Sequence, residues 1–256
     1  MTDIQIDFQP PLAWITLNRP KRRNAVTSAM WQSLPRVAAD LAARSDIRVA
    51  LLRGAGTEAF SAGADITEMQ QNLAHPERMK VMQDAVQVAQ QAWADIPIPT
   101  IAVIRGACTG GGCGLALACD LRLASMDSFF SIPPARLGLI YSVADTRRLV
   151  DLVGPAFAKE LLFTGRRLEA DEALRIGLVN QLVEAGHLED TATELARSIA
   201  GNAQHSVKGA KLIVDAITRG SLPADSPAHR LYEQSFNTAE FTEGARAFVE
   251  KRPPKF

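Results

Sequence analysis

The chain has 256 residues, 47% of them apolar and 22% charged, and its 28 basic and 28 acidic side chains cancel to a net charge of zero. That length suits one large α/β domain with a helical appendage, and without a basic excess there is nothing to hold a phosphate backbone, which excludes general nucleic-acid binding. The three cysteines, Cys108, Cys113 and Cys119, are too few and too clustered for a disulfide framework and fit a reducing cytoplasm.

The opening Met1-Thr2-Asp3-Ile4-Gln5-Ile6 has neither the charged start nor the apolar run of a targeting segment. Ile4–Phe8 and Leu12–Leu17 read as two strands separated by Pro10-Pro11. Leu34, Val37, Ala38 and Leu41 then recur at helical spacing along one buried face. Val49–Leu52 and Thr100–Arg105 are continuous apolar runs, the pattern of strands covered on both faces. Between them the pattern predicts one long helix over about 66–95, ended by Pro97 and Pro99. Leu115–Leu123 is interrupted by Asp120 and Arg122 and is too short to span a bilayer. Leu121–Ala124 and Val179–Val183 read as further strands, followed by helices over about 188–200, 206–219 and 226–250. Strand–helix units with a helical tail predict an α/β core over residues 1–190 and a helical region over 191–256.

Two small-residue segments follow strands in this reading. One is Ala59-Phe60-Ser61-Ala62-Gly63-Ala64-Asp65-Ile66, the other Gly106-Ala107-Cys108-Thr109-Gly110-Gly111-Gly112-Cys113-Gly114. Backbone N–H groups at such strand-to-helix junctions are unpaired and lie at the positive end of a helix dipole. Two of them converging on one oxygen would form an oxyanion hole; the same glycines would equally serve tight turns and close packing. The triple glycine lacks the spacing of a dinucleotide fingerprint and the Lys-Ser/Thr of a phosphate loop. His75, His187, His205 and His229 are scattered without metal-ligand spacing, so no metal is expected, and Ser61 has no neighbouring histidine to activate it.

These motifs resemble the crotonase superfamily, the enoyl-CoA hydratase/isomerase family. Leu17-Asn18-Arg19-Pro20 with Asn24-Ala25 matches its N-terminal signature, and Phe60–Ile66 and Gly110-Gly111-Gly112-Cys113 match its oxyanion segments. Thr164-Gly165, Glu172-Ala173, Gly177-Leu178-Val179-Asn180 and Phe248-Val249-Glu250-Lys251-Arg252 match later ones, so the likeness runs in order along the whole chain. It implies a spiral of ββα units with a C-terminal trimerisation region, assembled as a homotrimer or homohexamer. It also implies an acyl-CoA thioester substrate and no cofactor apart from the coenzyme A carried by that substrate. The thioester oxygen would face the N–H groups of Ala62 and Gly111. The CoA would lie along Arg22-Arg23 and the loop Ala62-Gly63-Ala64-Asp65-Ile66, with Phe248 and Lys251 reaching its nucleotide end from a neighbouring subunit.

The chain departs from the hydratase pattern at both proton-handling glutamates, where it carries Gly114 and Pro134. Neither residue can transfer a proton through its side chain. The nearest replacements are Tyr141, Ser142 and Asp145, and Tyr141 resembles the tyrosine of the branch that decarboxylates methylmalonyl-CoA. The leading expectation is an enoyl-CoA hydratase/isomerase-type enzyme acting through enolate stabilisation, with Ala62, Gly111 and Tyr141 as its catalytic groups. The alternatives are a malonyl-type decarboxylase and a CoA-thioester-binding protein without chemistry.

Overall fold

The computed structural model describes residues 2–220 and 226–256. The chain opens with an antiparallel hairpin, β1 (Ile4–Gln9) and β2 (Leu12–Leu17), in which every residue of β2 is buried. After a 3-10 turn at Pro20–Arg22 comes α1 (Ser28–Ala43), whose N-terminus is capped by the Thr27 side chain accepting from Met30 N–H. Its inward stripe of Met30, Trp31, Leu34, Val37, Ala38 and Leu41 is the helical spacing seen in the sequence.

Three strand pairs follow: β3 (Val49–Gly54) with β4 (Ala59–Ser61), β5 (Thr100–Ile104) with β6 (Ala107–Thr109), and β7 (Leu121–Ser125) with β8 (Phe129–Ser131). The first strand of each pair joins a six-stranded sheet ordered β1-β2-β3-β5-β7-β10, and the second joins a four-stranded sheet ordered β4-β6-β8-β9. Each pair is followed by helix: α2 (Ile66–Asn72) and α3 (Pro76–Ala94), then α4 (Gly111–Ala118), then α5 (Val143–Thr164). This repeat of two strands and a helix is the spiral of ββα units that the resemblance implies. The chain continues through β9 (Leu168–Glu169), α6 (Ala170–Arg175), β10 (Gln181–Val183), α7 (Leu188–Ala200), α8 (Gln204–Thr218), α9 (Pro227–Gln234), a 3-10 turn at Ser235–Asn237 and α10 (Ala239–Val249).

The structure differs from the sequence expectation at several points, each with a local cause. The helix expected over 66–95 is two helices, because Pro76 opens α3 at a position where a missing N–H costs nothing. The helix expected over 226–250 is broken by the 3-10 turn and restarts where Thr238 caps α10 by accepting from Phe241 N–H. The strand expected at Val179–Val183 begins at Gln181, since Asn180 instead hydrogen-bonds Arg122 through both its N–H and its side-chain oxygen. The boundary expected at residue 190 falls inside α7, which packs Leu188, Ala192, Ala196 and Ala200 onto Trp14, Val49, Leu51 and Ile101 of the larger sheet. The opposite face of that sheet meets α1, α3 and α4 in the main core, around Trp31, Trp93, Phe60 and Leu115.

The helix that matters most for the site is α4. Seven of its eight residues, Gly112 to Ala118, are buried, so the body of the helix is fixed by the core, with its first residue, Gly111, half-buried. Its C-terminal end is held by Arg122, only 3% exposed, which donates to the carbonyls of Ala116, Cys119 and Leu178. A guanidinium is the natural partner of the unpaired carbonyls at a helix C-terminus.

Candidate active site

The loop after β4 is pinned by the backbone of residues 23–26. Ser61, fully buried, donates its hydroxyl to Asn24 O at 2.9 Å and accepts from Gly63 N–H at 3.1 Å. The hydroxyl has no role left as a nucleophile. Ala62 N–H donates to Arg23 O at 2.9 Å, and Thr109 Oγ1 donates to Ala62 O at 3.0 Å. The Ala62 amide is therefore committed inside the protein, and the oxyanion role expected for it cannot be filled without breaking that bond. The chain then runs as a short parallel bridge, with Val26 N–H donating to Gly63 O and Asp65 N–H to Val26 O. In a parallel bridge of this register the intervening Ala64 N–H points the other way, and among the described residues it has no protein acceptor.

Asp65 caps α2 by accepting from Thr67 N–H and pairs with Arg19 at 2.8 Å. Burial pushes its carboxyl up, yet the Arg19 guanidinium and the Thr67 amide outweigh this and hold it below the usual carboxylate range. It anchors the loop, and it is turned toward Arg19 and not into open space. Ile66 is exposed on the first turn of α2.

The second segment comes within reach of Ala64. Gly110 N–H donates to Ser131 O at 2.9 Å, and the helix begins at Gly111, whose N–H has no intrahelical acceptor. A Cβ on Gly111 would lie 3.5 Å from Ala64 N and 3.2 Å from the Trp31 ring. Two glycines permit this approach. Gly63 has φ +91°, and a Cβ there would come within 2.9 Å of Gly111 N; a Cβ on Gly112 would come within 2.5 Å of Ser61 O. The structure thus brings together the unpaired N–H groups of Ala64 and Gly111, both half-buried, one from each small-residue segment.

Around them stand three side chains. Tyr141 is half-buried and its hydroxyl donates to Gly110 O at 3.3 Å, beside the helix start. Burial, reinforced by nearby Asp145, holds its phenol well above the usual value, so it stays protonated. Asp145, 2% exposed, accepts from Arg148 Nη1 at 2.9 Å, and with its amide nitrogen turned inward Gln90 donates to Asp145 Oδ2 at 2.8 Å. Burial raises the Asp145 carboxyl above the usual carboxylate range, against the opposing effects of the Ser142 hydroxyl, Arg148 and Gln90. Gln90 and Asp145 occupy the space beside Gly114: a Cβ at 114 would lie 1.9 Å from the terminal amide of Gln90 and 3.0 Å from Asp145 Oδ2. Pro134 is half-buried at the start of a 3-10 turn, Pro134–Leu137, whose carbonyl accepts from Leu139 N–H.

The remaining expected contacts are not gathered here. Arg22 and Arg23 are exposed beside the loop, with Arg23 Nε 3.9 Å from Glu58. Phe248 and Lys251 stand exposed at the end of α10, which packs chiefly on the turn at Ser235–Asn237. Sequence reasoning missed Gln90, whose place on the buried stripe of α3 with Met82, Ala89 and Trp93 was its one available signal. A polar residue at an apolar position of a helical period invites the question of what it is bonded to.

Comparison with known proteins agrees with this geometry. The profile of the enoyl-CoA hydratase/isomerase family matches residues 7–256. A short-chain-enoyl-CoA hydratase of Clostridium acetobutylicum is 35% identical over 98% of this chain and 96% of its own length. Two crystal structures superpose along the full chain. An enoyl-CoA hydratase/isomerase family protein from Hyphomonas neptunium gives a TM-score of 0.95 at 40% identity, with 97% of that chain covered. An enoyl-CoA hydratase from Bacillus anthracis gives 0.90 at 33%, with 99% covered. With the small-residue segments, the ββα repeat and the full-length match in agreement, the chain belongs to the enoyl-CoA hydratase/isomerase family.

Proposed function

We propose that this protein acts on an acyl-CoA thioester by holding its carbonyl oxygen between the N–H groups of Ala64 and Gly111 while the α-carbon takes on enolate character. The observation that carries the reading is the close approach of two half-buried backbone donors from separate loops, neither with an acceptor among the described residues. Charge grows on the oxygen as the enolate forms, so fixed donors favour the transition state over the bound thioester, each by about 3–4 kcal/mol. Gly111 keeps the role expected of it, and Ala64 takes the one expected of Ala62. Tyr141 would border the acyl group beside Gly110. Coenzyme A would enter as part of the substrate along Arg22, Arg23 and the 62–66 loop, with no separate cofactor.

The experiment is a panel of CoA thioesters followed by mass spectrometry. Crotonyl-CoA is expected to turn over, more slowly than in relatives with glutamates at the positions of Gly114 and Pro134. General acid–base groups contribute about 100- to 10,000-fold each, so their absence leaves a deep deficit. Release of CO2 from methylmalonyl-CoA in place of crotonyl-CoA turnover would replace this reading with decarboxylation. Tight binding with no turnover of any member would make the protein a CoA-thioester binder.

We further propose a homotrimer or homohexamer, with Phe248 and Lys251 completing a neighbour's CoA site. The support is the set of large apolar side chains that one chain leaves open, including Ile140, Val143, Phe163, Phe248 and Val249, all more than 70% exposed. Where exposed apolar side chains gather into a patch they mark an interaction face. Sedimentation at micromolar concentration is expected to give a trimer or hexamer; a monomer would refute the assembly. Among the described residues no helix is long and apolar enough to cross a membrane. A reducing, cytoplasmic setting would suit the three buried free thiols.

A further inference from the structure

Gly114 brings no side chain to the first turn of α4, yet the space beside it is not empty. It is filled from two other elements, α3 and α5. Gln90 reaches in with its amide, and Asp145 lies behind it with Oδ2 3.0 Å from where a Cβ at 114 would stand. Gly114 N–H donates to Gly110 O, so position 114, beside which this carboxylate lies, is in the first turn of α4, three residues on from Gly111, and the start of that helix also receives the Tyr141 hydroxyl. A buried carboxylate is costly unless it is well partnered. Asp145 has Arg148 on one oxygen and Gln90 on the other, and the Ser142 hydroxyl accepts from its backbone N–H and fixes the first turn of α5.

Resting on the thioester reading above, we propose that Asp145 is the base of this active site, delivered from α5 into the space that Gly114 vacates and oriented there by Gln90. The step balances without an oxidant or reductant. The Asp145 carboxylate takes a proton from the α-carbon of the bound thioester. The C–H electron pair becomes the enolate, whose charge rests on the thioester oxygen between the Ala64 and Gly111 N–H groups. Return of a proton from Asp145 to the same carbon regenerates the thioester. The elevated affinity of this buried carboxyl for protons suits that task, since a base gains driving force as its pKa approaches the working pH. The charged and titratable groups facing it are Arg148 on its own helix and Tyr141 on the loop before it, while α3 presents the neutral Gln90 and α4 presents Gly114.

The test is α-proton exchange of butyryl-CoA in D2O, read by mass spectrometry, with butyryl-CoA affinity measured separately by calorimetry. Wild type is expected to gain deuterium, and Asp145→Asn to lose about 100-fold or more in exchange rate with unchanged affinity. Gln90→Leu removes a donor to the ionised form, so the acid limb of its exchange profile is expected to move to higher pH. That shift is one a purely structural role would not produce, and it keeps the proposal open to refutation even where Asp145→Asn fails to fold. Wild-type exchange rates in Asp145→Asn, parallel losses of affinity and exchange, or an unmoved acid limb in Gln90→Leu would overturn the assignment. So would a wild type that binds butyryl-CoA without exchanging it. A wild type that does not bind butyryl-CoA at all would instead defeat the thioester reading itself, and this assignment with it.

Discussion

Replacement of Asn24 by alanine is expected to lower the thermal midpoint by on the order of 10 °C, which corresponds to roughly 4 kcal/mol in a chain of this size. Asn24 is fully buried with φ +53°, and its side chain makes three hydrogen bonds to backbone. Its Oδ1 accepts from Arg19 N–H at 3.0 Å, and its Nδ2 donates to the carbonyls of Ala55 at 2.9 Å and Ala59 at 2.7 Å. Alanine leaves those groups without partners, each at about 1–3 kcal/mol, and adds the cost of a left-handed conformation that asparagine tolerates better. Asn24→Gly isolates the two contributions, because it removes the hydrogen bonds while easing the backbone, and it is expected to fall between alanine and wild type. Asn24→Asp keeps the acceptor for Arg19 and sets a carboxylate against two carbonyls, so it is expected to be no better than alanine. The loss also reaches the site, since the Arg23 and Asn24 carbonyls hold Ala62 N–H and Ser61 Oγ. A midpoint within about 2 °C of wild type for Asn24→Ala would show that water replaces these bonds at no cost.

Asn24 and Arg19 illustrate what a linear motif conveys and what it conceals. The stretch Leu17-Asn18-Arg19-Pro20 with Asn24-Ala25 was legible as a family signature, but nothing in its spacing says that Arg19 pairs with Asp65 or that Asn24 braces β4. Those partners lie 46 and 35 residues away, and only the fold brings them together. Apolar periodicity located β2, β3, β5 and α1, because each is buried along a regular stripe or on both faces. The second sheet stayed hidden, since β4, β6 and β8 are three residues long and carry no period to detect. The helix α5 was likewise missed: Gly154 and Pro155 interrupt it, and Gly154 has non-helical φ and ψ, so the pattern breaks midway. Within the site, the two small-residue segments were recognisable. Which amide faces outward was not, because Ala62 and Ala64 differ only in which way a parallel bridge turns them.

The same limit applies to Gly114, where sequence reasoning alone expects that glutamates at 114 and 134 would raise hydration. The structure leads to the opposite expectation for the first of these. Gly114→Ala in a buried helix would ordinarily gain up to about 1 kcal/mol, because alanine restricts the unfolded chain and favours helix. Here it is expected to cost about 1–3 kcal/mol, as overpacking does, since the new Cβ would come within 1.9 Å of the terminal amide of Gln90. The Gln90 side chain is long enough to swing aside, but doing so strips Asp145 of its amide donor and leaves the buried carboxylate on Arg148 alone. Gln90→Ala should therefore be costly by itself and should make Gly114→Ala much cheaper, a coupling of about 1–3 kcal/mol in a double-mutant cycle of chemical denaturation. Additive effects of the two substitutions would show that position 114 does not compete with Gln90 for space. Gly114→Glu adds a second carboxylate to the volume that Asp145 already occupies, and two such groups cannot both ionise there without a strong rise in one pKa. It is expected to unfold more readily than Gly114→Ala and to gain no hydration.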